Sequence, residues 1–283
     1  MIFFQTICKA EVSIQEKNAL LDLYKETNGK AWKNTWDLTK PVSDWYGITV
    51  VNNTVVKINL FNNNLAGVLP KSIGGIKNLQ ELNLAFNALT GVLPKELSCL
   101  IHLEVLKLEM NKIKGELPDD IGKMKKLHEI SVFNNFLSGA IPESIGALKE
   151  LKILNLSSNN FKGVIPVAIG KLVALEVLGL FDNRLQGAMP KEIGSLTKLK
   201  ELVLANNQLE GVIPKEFGQL ANLKVIQIQN NKFDAFEDLS LINTNNFLVF
   251  DFDKDKIKNN QNYKDLNFSK TRMADTKFED DNE

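Results

Sequence analysis

The chain has 283 residues, with 34 basic and 34 acidic side chains and a hydrophobic fraction of 44%. A formal net charge of zero leaves no overall field to attract nucleic acid or an anionic membrane, so we expect neither partner. No apolar run approaches the roughly 20 residues that a membrane-spanning helix needs, so we expect no membrane span. The two cysteines, Cys8 and Cys99, do not indicate the compartment, and we expect Cys99 to be a small buried apolar residue.

Residues 1–12 open with an apolar stretch that has two interpretations. Met1 to Cys8 is shorter than a complete signal peptide, and no basic segment precedes it. The stretch is either the remnant of a signal peptide, with Ala10-Glu11 as the mature boundary, or a frayed N-terminus.

Residues 13–54 are predicted to form an N-terminal cap. Ser13 to Glu16 fits a helix capping box, and the amphipathic stretch that follows ends at Asn28-Gly29. All three tryptophans of the chain come next: Trp32, Trp36 and Trp45. The apolar runs 48–51 and 55–60 flank Asn52-Asn53, and this pattern predicts a β-hairpin.

Residues 55–246 repeat with a period of 24 residues. Each block opens with an apolar residue: Val55, Leu79, Leu103, Leu127, Leu151, Leu175, Leu199 and Leu223. Asparagine stands eight positions later in every block: Asn63, Asn87, Asn111, Asn135, Asn159, Asn183, Asn207 and Asn231. Glycine follows at position twelve in seven blocks: Gly67, Gly91, Gly115, Gly139, Gly163, Gly187 and Gly211. This spacing predicts eight stacked repeats.

The repeated residue types suit one short strand and one sharp turn per block. Leu79, Leu82 and Leu84 alternate as on a strand, so their side chains point to one side, into the core. The amide of Asn87 both donates and accepts, and we expect a ladder of such amides to satisfy backbone groups at the turns. Pro94 fixes φ on the opposite side of the repeat. One repeat cannot bury its own apolar face, so stability comes from its neighbours and the ends need caps.

The landmarks disappear after the eighth block. Ala235 and Asp238 stand where glycine and proline are expected, and the inward positions of a ninth block hold Phe247, Phe250 and Phe252. Residues 247–256 are therefore predicted to form a degenerate ninth strand and C-terminal cap. Residues 257–283 are polar and of mixed charge, which predicts a disordered tail.

The consensus L-x-x-L-x-L-x-x-N-x-L-x-G-x-x-P resembles the plant-specific type of leucine-rich repeat. The resemblance implies an α/β fold: a right-handed solenoid with one short parallel strand per repeat, an irregular or 3-10 convex side, and an N-terminal helical cap. The cap sequence, with Trp32 and Asp44-Trp45-Tyr46-Gly47-Ile48, is similar to that of secreted bacterial leucine-rich-repeat proteins, especially from Bacteroidetes. Plant receptor kinases carry a similar motif between paired cysteines, which this cap lacks. The bacterial resemblance implies an extracellular, periplasmic or cell-surface location.

In such a solenoid the exposed strand residues line the concave face, and we expect positions six and seven of each block to point outward. Candidate ligand-binding residues at these positions are Phe61, Phe86, Glu109, Met110, Phe133, Phe181 and Asp182. Neighbouring strands lie roughly 4.8 Å apart, so Phe86, Met110 and Phe133 should form a diagonal apolar strip. Exposed aromatic side chains suit sugar stacking or protein contacts. At Phe61, Phe133 and Phe181 the aromatic ring also fits consensus packing that shields the strand edges.

Acidic residues recur at position two of the blocks: Glu81, Glu129 and Glu201. We expect them to pair with nearby lysines, namely Lys107, Lys152 and Lys200; a cation site is the alternative. The histidines, His102 and His128, and the Ser157-Ser158 pair show no catalytic spacing, so we expect no enzyme, cofactor or metal. The chain is interpreted as a monomeric protein that binds a protein or glycan on the concave face. The alternative is a structural or adhesive spacer.

Overall fold

The computed structural model describes residues 11–235 and 248–251. The chain forms two compact units, Met1–Phe136 and Leu137–Glu283. The signal-peptide interpretation of Met1 to Cys8, the inward placement of Phe247 and Phe252, and the predicted tail from residue 257 all fall outside the described residues.

The first unit begins with one α-helix, α1, Ile14–Glu26. Ser13 is its N-cap and accepts a hydrogen bond from the Glu16 backbone N–H at 3.2 Å, as the capping-box pattern predicts. The helix buries Leu20 and Leu23 completely. It ends before Asn28, whose φ of 57° is a left-handed conformation that cannot continue the helix and that asparagine tolerates well.

The three tryptophans form the core of the cap. Trp36 stacks on Trp45, with ring centroids 4.7 Å apart, and meets Trp32 edge-on at 4.9 Å. Each indole N–H donates to a backbone carbonyl oxygen at 2.8 to 3.1 Å, so the polar edge of each buried ring is satisfied. Aromatic packing therefore organises this cap.

Gly67 lies where the cap and the first repeat approach each other closely. Its φ is 143°, and a Cβ at this position would collide with the Glu26 carbonyl oxygen. The neighbouring Ala66 N–H donates to the Thr27 carbonyl oxygen at 3.0 Å, which fixes the same approach. A side chain at residue 67 would separate the cap from the repeat.

The first unit contains short strands that recur with the repeat. Their bounds are β1 Ile48–Val51, β2 Thr54–Asn59, β3 Ala66–Val68, β4 Glu81–Asn83, β5 Ala88–Thr90, β6 Val105–Lys107, β7 Lys114–Gly115 and β8 Glu129–Ser131. β1 and β2 are antiparallel and joined by Asn52 and Asn53, both at positive φ, as the predicted hairpin requires. β2, β4, β6 and β8 pair in parallel in that order, each one 24 residues after the last.

The opposite side of the first unit carries 3-10 turns. Their bounds are Gly29–Ala31 and Val42–Asp44 in the cap, and Lys71–Gly75, Lys95–Cys99 and Ile121–Lys123 in the repeats. Pro70 and Pro94 immediately precede two of these turns in an extended conformation, which their fixed φ favours. Cys99 is exposed, so the prediction that it is buried is wrong. Leu97, Ser98 and Leu100 are buried, and Cys99 faces out between them.

The second unit repeats the same plan. Its strands are β9 Phe136–Gly139 (from the last residue of the first unit), β10 Ile153–Asn155, β11 Asn160–Gly163, β12 Val177–Gly179, β13 Arg184–Ala188, β14 Glu201–Val203, β15 Gln208–Val212, β16 Val225–Gln227, β17 Lys232–Ala235 and β18 Val249–Asp251. Its 3-10 turns are Glu143–Ala147, Val167–Lys171, Lys191–Ser195 and Lys215–Gln219. β10, β12, β14 and β16 pair in parallel, and β18 extends the row with Val225 opposite Val249.

Candidate ligand-binding face

The strand face of the first unit is the side of β2, β4, β6 and β8 that points away from the apolar core. Leu82 and Leu106 on the inner side are completely buried. Beyond each strand, the face continues to positions six and seven of the block, where hydrogen bonds still join the backbones of adjacent repeats. The Phe86 N–H donates to the Glu109 carbonyl oxygen, and the Met110 N–H donates to the Phe133 carbonyl oxygen, both at 2.9 Å. The predicted site residues of this unit are therefore held on adjacent, aligned segments.

The asparagines of position eight hold this alignment. The Asn135 side-chain oxygen accepts from the Ile113 N–H at 3.0 Å. Its amide nitrogen donates to the Leu108 and Val132 carbonyl oxygens at 2.9 and 3.1 Å. Asn87 and Asn111 make the same kinds of bond in the two preceding repeats. These buried amides link each turn to its neighbour, which makes the positions just before them rigid.

Position seven of every block has a left-handed backbone. Its φ lies between 48° and 58° in Asn62, Phe86, Met110, Asn134, Ser158, Asp182, Asn206 and Asn230. Six of these eight residues are Asn, Asp or Ser, and Asn and Asp tolerate the conformation because their short polar side chains bond locally. Phe86 and Met110, both at 56°, have bulky side chains there. Such residues carry strain of about 1–3 kcal/mol each.

Phe61, Phe86, Met110 and Phe133 form what we call the apolar patch. The rings of Phe61 and Phe86 lie 5.2 Å apart at an angle of 57°, and these side chains are 46% and 45% exposed. Met110 and Phe133 are partly buried. The Met110 sulfur accepts from the Asn134 side-chain N–H at 3.0 Å, which orients the thioether. The sequence indicated these residues as outward-pointing but did not reveal the strain at Phe86 and Met110.

The other candidate residues lie in the second unit. Phe181 is partly buried and Asp182 is exposed, with its φ of 52° in the position-seven conformation that an Asp accepts. Position six is not exposed in every block, since Ala85 and Ala205 are completely buried. A methyl group is too short to extend past its neighbours on adjacent strands.

The acidic side chains of the strand face differ in their partners. Lys107 contacts Glu129 at 2.9 Å, as predicted, whereas Glu81 contacts Lys57 at 2.7 Å rather than Lys107. In the second unit Lys200 pairs with Glu176 on the preceding strand, whereas the sequence suggested Glu201. Lys107 has an acidic residue on each adjacent strand, Glu81 and Glu129, and its side-chain rotamer selects between them.

The acidic side chains around Lys107 change its pKa. Its hydrogen bond to Glu129 raises the pKa of the ammonium group above the ordinary value of 10.5, and the charges of Glu129, Glu109 and Glu81 add to this effect, while partial burial opposes it. The Glu109 Oε2 atom is buried and has no hydrogen-bond partner among the described residues. Within the ranges 11–235 and 248–251, no three His, Cys, Asp or Glu side chains gather to hold a metal ion.

Two family models match the chain. Residues 53–113 match one described as a leucine rich repeat, and residues 133–244 match one described as a leucine-rich repeat region. Neither describes an enzyme. No curated protein matches the chain.

Solved structures are similar over most of the chain. The ectodomain of the Arabidopsis thaliana receptor kinase GASSHO1/SCHENGEN3, in complex with CASPARIAN STRIP INTEGRITY FACTOR 2, is 28% identical with a TM-score of 0.69, over 83% of this chain and 32% of that chain. The Arabidopsis receptor kinase HAESA, with the peptide hormone IDA and the co-receptor SERK1, is 37% identical with a TM-score of 0.62, over 64% and 30%. A leucine-rich-repeat protein of Leptospira interrogans is 42% identical with a TM-score of 0.57, over 69% and 48%.

These matches show that the fold is a leucine-rich-repeat solenoid, as the 24-residue register predicts. The chain spans about a third of the length of the plant ectodomains and about half of the Leptospira protein. In the part of the chain that the structure describes, no helix is both long and apolar enough to cross a membrane.

Proposed function

We propose that this protein is a non-enzymatic binding protein that recognises a protein or glycan ligand on the predicted concave face, with the apolar patch as the centre of the contact. The observation that carries the proposal is the left-handed backbone at Phe86 and Met110. Asparagine would fit both positions without strain, and it occupies the equivalent position in the repeats on either side, at Asn62 and Asn134. Strained residues of this kind persist where the side chain serves something other than stability.

Exposure of the patch supports the same conclusion. The tilted rings of Phe61 and Phe86 contact each other, yet each leaves nearly half of its surface in water. Exposed aromatic groups held on a rigid backbone are well suited to binding, since they bury a large area and lose little conformational entropy. In the second unit, Phe181 and Asp182 remain predicted ligand-binding residues in their own right.

The comparisons support a ligand-binding role and a location outside the cytoplasm. The Arabidopsis neighbours are receptor kinases in complex with a peptide hormone or an integrity factor. The identity of 42% to a Leptospira protein supports a resemblance to bacterial leucine-rich-repeat proteins. An extracellular, periplasmic or cell-surface monomer is therefore part of the proposal.

A paired retention experiment tests this function. Wild-type protein and a double variant, Phe86→Asn with Met110→Asn, are immobilised and exposed to surface proteins and polysaccharides of the source organism. A third sample carries Phe136→Asn, which removes another exposed aromatic of the same unit, 57% exposed and outside the patch. We expect wild type and the Phe136 variant to retain the same ligand and the double variant to lose it.

Equal retention by all three samples would contradict the proposal. If all three samples retain the same material, or none retains any, the patch does not bind a ligand. The protein is then better described as a structural or adhesive spacer.

A further inference from the structure

Glu109 lies in the middle of the apolar patch. Its carbonyl oxygen accepts from Phe86, and Met110 follows it directly in the chain. Residue 133 occupies the same block position on the next repeat. Glu109 is therefore flanked by Phe86, Met110 and Phe133 of the apolar patch.

This carboxylate differs from the other acidic groups of the strand face. Glu81 and Glu129 each have a lysine within 2.9 Å. Glu109 is partly buried, and its Oε2 atom is buried without a hydrogen-bond donor among the described residues. A buried charged acceptor without a donor is unfavourable, so a group that brings a donor to Glu109 gains more there than at a carboxylate in water.

The surroundings favour a positive charge as that donor. Lys57 and Lys107 form ion pairs with Glu81 and Glu129, and Glu109 has no ion pair of its own among the described residues. The hydrogen bond to Glu129 is the main cause of the raised pKa of Lys107, and the negative charge of Glu109 adds to it, as expected for a cation close to this carboxylate. The faces of the Phe rings attract cations as well. A glycan hydroxyl could also donate to Glu109, but it brings no positive charge, whereas an ammonium or guanidinium group adds the attraction between opposite charges to the hydrogen bond.

We propose that the patch binds a peptide segment in which a Lys or Arg side chain stands beside an apolar one, with the cation on Glu109 and the apolar group over Phe86 and Met110. This inference rests on the proposed function of the patch and gives the chemistry of its ligand. Charge complementarity to Glu109 is what selects a peptide over a neutral glycan.

A random dodecapeptide library displayed on phage is the probe. The library is selected in parallel on wild type, on Glu109→Gln, on Glu109→Lys and on the Phe86→Asn, Met110→Asn double variant. Glu116→Gln is the matched control, because Glu116 is an exposed glutamate of the same unit outside the strand face. Thermal unfolding of each variant checks the fold, and removal of the unpartnered carboxylate in Glu109→Gln should not lower the melting temperature.

We expect wild type and Glu116→Gln to enrich peptides with a basic residue next to Leu, Phe or Trp. Synthetic copies of these peptides should bind Glu109→Gln roughly tenfold more weakly or worse, the effect of one lost charge-assisted hydrogen bond. Glu109→Lys should enrich peptides that carry an acidic residue instead.

Other results would overturn the inference. Peptides that need Phe86 and Met110 but show no basic preference would refute the role of Glu109 and leave the proposed function intact. Patch-dependent retention of polysaccharide with no peptide enrichment would replace the peptide with a glycan. If neither peptides nor polysaccharides depend on the patch, the proposed function fails together with the inference.

Discussion

Phe61→Asn and Phe86→Asn form a matched pair of substitutions that isolates the backbone strain of the apolar patch. Both side chains belong to the same ring contact at 5.2 Å, and they are 46% and 45% exposed. Each substitution therefore removes the same aromatic interaction and a similar buried area. Residue 86 has a φ of 56°, whereas residue 61 is not among the residues with positive φ.

The expected difference in stability between the two variants follows from the positive φ at residue 86. Loss of the ring pair should cost about 0.5–1.5 kcal/mol in either variant. Asparagine at residue 86 also relieves the strain of a bulky left-handed residue, about 1–2 kcal/mol. Phe61→Asn should therefore be destabilised, whereas Phe86→Asn should be close to wild type. The expected gap of about 1–2 kcal/mol in the free energy of unfolding corresponds to roughly 2–8 °C in melting temperature.

Urea unfolding and differential scanning calorimetry measure this gap directly. The reverse change, Asn206→Phe, introduces the strain in the second unit at a residue with φ of 58° and should lower stability by about 1–2 kcal/mol. Equal stabilities for Phe61→Asn and Phe86→Asn, within about 0.5 kcal/mol, would refute the strain argument and with it the main support for a functional patch.

Three further predictions concern the scaffold and its charges. Asn135→Ala should lower the free energy of unfolding by about 1–3 kcal/mol, because the backbone groups of Ile113, Leu108 and Val132 lose their hydrogen bonds to its side chain. Urea unfolding against the exposed-site control Gln80→Ala measures this loss, and an unchanged midpoint would contradict it. Gly67→Ala should lower the melting temperature through collision with the Glu26 carbonyl, whereas Gly75→Ala, which meets only the flexible Gln15 side chain, should be tolerated. Glu129→Gln should bring the pKa of Lys107 down toward 10.5, as measured by NMR titration, and an unmoved pKa would exclude this pair as the cause. Because the folded-state pKa of Lys107 is raised, its stabilising contribution is complete below pH 10.5 and is lost as the pH rises through the folded value.

The repeat architecture could be predicted from the sequence because the same residue types form the same strand and the same turn in each block. Strand register follows from the apolar alternation of residues such as Leu79 and Leu82, and the ladder follows from one asparagine with both donor and acceptor atoms. The parallel pairing of Glu81, Val105 and Glu129 at 24-residue intervals is the direct result. Local chemistry repeated in register is sufficient for this part of the fold.

Side-chain partners and exposure could not be predicted in the same way. Lys107 lies between Glu81 and Glu129 on neighbouring strands, and the strand spacing does not distinguish the two. Only the packed rotamers pair it with Glu129. The burial of Ala85 and the exposure of Cys99 could not be predicted for a related reason, since exposure depends on the size of surrounding side chains as well as on register.

The position-seven conformation links the fold to the candidate site. The turn requires a left-handed residue in every block, and Asn, Asp or Ser supplies it everywhere except at Phe86 and Met110. These two exceptions occupy consecutive repeats, and Glu109, whose buried Oε2 lacks a donor, lies between them in the chain. Three locally unfavourable choices at one place on a regular scaffold are not explained by folding, because the same scaffold tolerates better residues in its other repeats. A ligand that covers the apolar groups and compensates the carboxylate would account for all three together.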